Sequence, residues 1–367
     1  MTSPSRQISD FGVSIWLDDL SKDRLTTGSL QVLMDKHSVV GVTSNPTIFA
    51  QAVAGSTSYK SDIARMKAAG KSPEEAVFDI MIGDVQGACD LMRPLFEQTG
   101  GLNGRVSLEV SPLLARDTAG TIAQAKDLWS RVDRENLMIK IPATKEGLPA
   151  VTEVIAEGIS VNVTLIFSLA RYSEVIDAYE EGLARASQHG KDVAQIFSVA
   201  SFFVSRVDSA VDKILDASSH AEAKALRSRA AIANARLAYE LFQARASQES
   251  WTVLESLGAH PQRPLWASTG VKDPALPEDL YVTELIAANV VNTMPEKTLH
   301  AVEAGSGGRA DAITSSYSDA HDVMAGLLEC GVDMEEVTTE LENDGVAKFV
   351  QSWHELLNTV SAAMDQD

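Results

Sequence analysis

Cysteine is nearly missing from this 367-residue sequence: only Cys89 and Cys330 occur, far apart and in no C-x-x-C pair. That excludes a disulfide framework or a thiolate zinc site and fits two reduced thiols in a cytoplasmic protein. The seven histidines form no H-x-H or H-E-x-x-H cluster, so no metal site is expected. No run of about 18 apolar residues exists, which excludes a transmembrane helix. The opening MTSPSRQISDFG lacks an apolar core segment, so no secretory leader is expected. Positive charge is scarce as well: 31 lysines and arginines against 51 aspartates and glutamates leave a net charge of −20. Such a field repels phosphate backbones and anionic lipid, so neither nucleic acid nor a membrane is an expected partner. A phosphate ester substrate would need a few basic side chains gathered locally against that field.

What is present is an ordinary globular composition, 45% hydrophobic and 22% charged. Short β-branched runs alternate with helical patterns up to about residue 300. The expected strands are SIWLD (14–18), VVGVTSN (39–45), VSLEVS (106–111), LMIKIPA (137–143), SVNVTLIFS (160–168), QIFSVAS (195–201), PLWAST (264–269) and VVNTM (290–294). Several are near-continuous apolar runs, as in parallel strands buried on both faces. Between them, Ser72, Pro73 and Glu75 spell a helix start with a capping box. Leu148, Val151 and Ile155 share one face of a helix that Gly158 ends.

Eight strands, each followed by helix, predict an α/β fold of the (β/α)₈ TIM barrel type with extra helices and a helical C-terminal extension. A doubly wound open sheet is the alternative, but WLDDLSKDRL after the first strand has no glycine fingerprint. Residues 1–367 are expected to form one barrel domain, with its strand core at about 14–300 and a loop and helical extension at 301–367. Residues 303–316, EAGSGGRADAITSS, are Gly- and Ser-rich and predict a flexible loop. Residues 221–257 predict the longest helical stretch. That stretch and the tail after 317 are expected as acidic additions on the barrel surface, either plain solvated faces or surfaces for self-association.

Catalytic groups of a barrel lie where its strands end. The first strand offers Asp18 and Asp19, the second Thr43, Ser44 and Asn45, the third Glu109 and the fourth Lys140. The fifth offers Asn162 and Thr164, the sixth Ser198 and Ser201, the seventh Ser268 and Thr269, the eighth Asn292 and Thr293. Each alone has a bland explanation, such as a snorkelling lysine or an asparagine satisfying backbone groups. Together, polar insertions in successive buried strands would waste burial unless they build a shared site. Burial disfavours an ammonium ion, and a neutral amine can attack a ketone to form an imine that acts as an electron sink. Such chemistry needs two proton-transfer groups, which Asp18 and Glu109 can supply, and no metal or other cofactor.

These residues sit in motifs that resemble the transaldolase family, most of all its actinobacterial type. GVTSNPTIF (41–49) is similar to the family's T-[ST]-N-P signature, and LMIKIPATKEG (137–147) to the signature around its imine-forming lysine. NVTLIFS (162–168), SFFVSRVD (201–208) and the start WLDDLS (16–21) add further matches in order. The resemblance implies Lys140 as the imine lysine, Glu109 acting through a water held by Thr164, and Asp18 as the acid/base at the cleaved bond, with Asp19 the competing choice. It implies Asn45, Asn162 and Ser201 as ligands of a dihydroxyacetone unit, with Phe203 packed beside them, and Arg206 as a phosphate ligand. The family's usual second arginine is replaced by the longer WASTGVKDP, in which Lys272 is either the second cation or a solvated loop lysine. The implied reaction transfers the three-carbon unit from sedoheptulose 7-phosphate or fructose 6-phosphate to glyceraldehyde 3-phosphate or erythrose 4-phosphate, in the non-oxidative pentose phosphate pathway. An aldolase that releases free dihydroxyacetone and a non-catalytic sugar phosphate sensor are the rival readings.

Overall fold

The computed structural model describes residues 2–365. Eight parallel strands close into a barrel: β1 (Val13–Asp18), β2 (Val39–Thr43), β3 (Arg105–Glu109), β4 (Leu137–Pro142), β5 (Val161–Ile166), β6 (Ser198–Phe203), β7 (Arg263–Ala267) and β8 (Val290–Met294). Each pairs with the next in chain order, and β8 returns to β1 in the register Ile15 to Asn292. The chain is a (β/α)₈ TIM barrel. Alternation along each strand sorts the side chains: Ile139 and Ile141 of β4 face one way, and Lys140 between them faces the other.

Helices cover the barrel where the sequence predicts them. Ser72 caps the helix Pro73–Gln98 and Glu75 closes the capping box. The helix Gly147–Ala156 buries Val151 and Ile155, and Gly158 follows at φ 87°. In β2, Gly41 is required by close approach: a β-carbon there would stand 2.5 Å from the Trp16 indole. The floor of the barrel is plugged by two buried arginines, held by backbone carbonyls and hydroxyls. Arg105 Nε donates to Gly101 O at 2.7 Å, and Arg263 Nη1 donates to Ser14 Oγ at 2.9 Å.

Three expectations are corrected. The sixth strand begins at Ser198 instead of residue 195, because Val193–Gln195 forms a 3₁₀ turn. Residues 221–257 are not one long helix but three, Ala223–Leu226, Ala230–Ala246 and Glu249–Ser256. Ser228 at φ 57° makes the first break, since a left-handed residue cannot continue a right-handed helix. The longest helix is Met334–Asp365, with 32 residues, and it is no surface addition. It lies over the helices Pro46–Gly55 and Pro73–Gln98 and contacts β5 at the barrel mouth. Its buried residues Val337, Leu341, Gly345, Phe349, Trp353, Leu356, Val360 and Met364 recur at helical spacing and form one continuous face. Gly345 permits the approach: a β-carbon there would stand 3.0 Å from Leu165. Leu165 itself sits at φ 60°, where the β5–β6 register slips, a strained backbone placed at the mouth. Among the described residues no helix is long and apolar enough to cross a membrane.

Candidate active site

The barrel opens at the carboxyl ends of its strands onto a cavity of about 190 Å³. Lys140 enters from β4, with only 4% of the residue exposed. Its Nζ lies 3.5 Å from Glu109 Oε2 and donates to the Ser44 carbonyl at 3.1 Å. Glu109 is its register partner on β3, so adjacent inward positions on neighbouring strands create the pair. Burial pushes the Glu109 carboxyl up to about 7, although the Lys140 charge pulls it down.

Asp18 ends β1 and lines the same cavity. Burial raises its pKa, opposed by Lys140 and by Thr43 Oγ1, which donates to Asp18 Oδ1 at 2.7 Å. With that proton spent on Asp18, Thr43 accepts from Thr293 Oγ1 at 2.6 Å. Asp19, one residue on, turns away into an ion pair with Arg24. The alternation of β1 therefore brings Asp18 to the cavity and leaves Asp19 outside.

The other residues divide between the cavity wall and buried positions in the strands beside it. Asn45, Ser201, Phe203, Arg206 and Lys272 line the cavity. Asn45 Oδ1 caps the helix Pro46–Gly55 by accepting from Ile48 N at 3.0 Å, which leaves its amide NH₂ for the cavity. Ser201 Oγ donates to Asn162 Oδ1 at 2.7 Å, and Asn162 Nδ2 donates to Ser107 Oγ at 3.0 Å. Asn162, Thr164 and Glu109 do not line the cavity wall; they lie buried in their strands beside it. Thr164 Oγ1 and both Glu109 carboxylate oxygens are buried without a hydrogen-bond partner. Apart from the Lys140 ion pair at Glu109 Oε2, these atoms are unsatisfied, which is costly in a finished core and leaves room for a small polar visitor.

Charge is arranged against the trend of the chain. Lys140, Arg206 and Lys272 line the cavity, with Asp18 the one carboxylate in its wall among the described residues. The Arg206 guanidinium packs over the Phe203 ring at 5.1 Å, and its Nη1 is buried without a partner. Lys272 is exposed on the loop after β7 and has no ion-pair partner among the described residues. The molecule with net charge −20 thus turns a locally cationic pocket outward at its barrel mouth. Among the described residues no cluster of three or more His, Cys, Asp and Glu could hold a metal ion.

Phe349 completes the wall and was missed by sequence reasoning. The signal was present as the apolar repeat of the C-terminal helix, but nothing in a sequence says that this face meets the mouth. Phe203 packs on Phe167 at 5.2 Å, behind the same wall.

The Transaldolase/Fructose-6-phosphate aldolase family profile matches residues 15–360. The chain belongs to this family. A transaldolase of Kocuria rhizophila is 55% identical over 365 residues, covering 100% of this chain and 99% of its own length. One from Thermobifida fusca is 54% identical over 361 residues, covering 98% of each chain. Transaldolase 1 of Streptomyces avermitilis is 52% identical over 358 residues, covering 98% of this chain and 95% of its own. Family membership therefore spans the barrel and the C-terminal helix alike.

Proposed function

We propose that this chain is a transaldolase whose Lys140 forms an imine with a ketose phosphate and passes a dihydroxyacetone unit to an aldose phosphate. The observation that carries the reading is the placement of Lys140: buried in the lumen, 3.5 Å from a glutamate titrating near neutrality, and open to a cationic cavity. The donor is sedoheptulose 7-phosphate or fructose 6-phosphate, and the acceptor glyceraldehyde 3-phosphate or erythrose 4-phosphate, as in the non-oxidative pentose phosphate pathway. Full-length relatives named transaldolase favour transfer over simple release.

Lys140 Nζ attacks the ketone carbon, and the carbinolamine loses water to give the imine. Glu109 takes up and returns the protons of these steps. Its Oε1 and the Thr164 hydroxyl, both without a hydrogen-bond partner, suit a water molecule as the carrier between carboxylate and substrate. Asp18 removes the proton from the hydroxyl next to the breaking C–C bond, while the iminium accepts the electron pair. Asn45, Asn162 and Ser201 hold the three-carbon unit, and Phe203 packs against it. Arg206 holds the phosphate; Lys272 adds a second charge there, as a flexible ammonium and not a bidentate fork.

A transfer assay tests the reading. Fructose 6-phosphate and erythrose 4-phosphate together are expected to give sedoheptulose 7-phosphate and glyceraldehyde 3-phosphate. A chain that binds these sugars without converting them would be a sensor, and one that yields dihydroxyacetone as its main product would be an aldolase.

A further inference from the structure

We infer that Phe349 on the C-terminal helix is a specificity-determining residue: its ring covers the Lys140 centre and so decides between transfer and release of the bound three-carbon unit. The inference rests on the imine reading of Lys140. The ring centroid lies 5.9 Å from Lys140 Nζ, and Phe349 is 3% exposed while lining the cavity. Its helix packs over the helices between β2 and β3 and against the turn Pro112–Leu114 that follows β3.

The helix holds this ring firmly. One turn before it, Gly345 rests against Leu165, and a β-carbon at 345 would stand 3.6 Å from Arg206 Nη1. One turn after it, Trp353 packs on Phe78 at 5.1 Å, and the Ser352 hydroxyl pairs with that of Thr47 at 2.7 Å. Thr47 belongs to the helix that Asn45 caps. The helix that carries the ring and the helix capped by Asn45 thereby pack as one unit beside the cavity.

The chemistry explains what such a ring does. After the first aldehyde leaves, an enamine remains on Lys140. Its nucleophilic carbon can form a C–C bond to the incoming aldehyde carbon, whose oxygen takes a proton from Asp18. Alternatively, that carbon takes a proton from water. The resulting iminium then adds the hydroxide left behind and frees dihydroxyacetone, returning Lys140 as an amine. An apolar ring beside the nitrogen keeps water from the second route and leaves the first open to a larger aldehyde. Its face also favours the cationic iminium.

The test measures the ratio of released dihydroxyacetone to transferred product. It uses the full chain with fructose 6-phosphate, with and without erythrose 4-phosphate, and maps the borohydride-reduced adduct in parallel. Phe349→Ala is expected to raise the ratio about tenfold while the adduct on Lys140 still forms. An unchanged ratio with the adduct intact would overturn the inference and leave the imine reading standing. Absence of an adduct from the parent chain would remove both. Should Phe349→Ala lose its native circular dichroism, Phe349→Leu carries the same test, with a rise of about threefold expected and no change counting against it.

Discussion

At the scale of single residues, the site holds one carboxyl raised toward neutrality beside one buried amine. Burial raises Glu109 to about 7, so its carboxylate form is lost as pH falls through that value. If the carboxylate is the working base, kcat/KM should fall on the acidic side of about pH 7 in the parent chain. Glu109→Gln should lower kcat by about 10²–10⁴-fold and abolish that limb of the profile. A Gln variant that keeps the same acidic limb would assign the titration to another group. The placement of Lys140 and Glu109 was legible because a charged residue inside an apolar strand is conspicuous and its neighbours fix its side of the strand. Asp18 against Asp19 was not decided by composition, since two adjacent carboxylates look alike. What separates them is the pleat of β1, which gives one to the cavity and the other to Arg24.

At the scale of elements, the barrel strands were readable to within a few residues because buried parallel strands leave uninterrupted apolar runs. The errors have physical causes. QIF at 195–197 has strand-like composition, yet Asp192 caps a 3₁₀ turn there and delays β6. Ala-rich sequence predicts helix at 221–257, but one left-handed residue at Ser228 divides it. The C-terminal helix was taken for a surface addition because its acidic face dominates a count of charges, while its apolar face lies at four-residue intervals. Close approach between elements can be tested at Gly41, the point where Trp16 crosses β2. Gly41→Ala places a methyl group 2.5 Å from the indole. Overpacking of this kind costs about 1–3 kcal/mol. The midpoint of urea unfolding should fall accordingly; an unmoved midpoint would mean that Trp16 has room to shift.

At the scale of the whole molecule, the acidic chain has placed several carboxyls where water cannot reach them. Burial pushes Asp84 and Asp208 up to about 6, and Glu109 to about 7. For a carboxyl raised on folding, the native state holds its proton more tightly than the unfolded chain does. The stabilising contribution is complete below the unfolded value, 3.8 for aspartate and 4.5 for glutamate, and is lost as pH rises through the folded one. As pH rises, the two aspartates therefore lower the melting temperature between about pH 4 and pH 6, and Glu109 between about pH 4.5 and pH 7. Asp84 accepts from Tyr59 OH at 2.7 Å, a bond that an asparagine oxygen keeps. Asp84→Asn is expected to flatten the fall of stability over the aspartate interval, as calorimetry at successive pH values would show. An undiminished slope would place the linkage elsewhere.

The central claim is a covalent bond at Lys140, and borohydride trapping tests it most directly. The chain is incubated with fructose 6-phosphate, reduced, digested and mapped by mass. A three-carbon adduct is expected on the peptide containing residues 137–144, lost in Lys140→Arg, with phosphate binding largely retained. An adduct on any other lysine, or turnover that survives in Lys140→Arg, would contradict it.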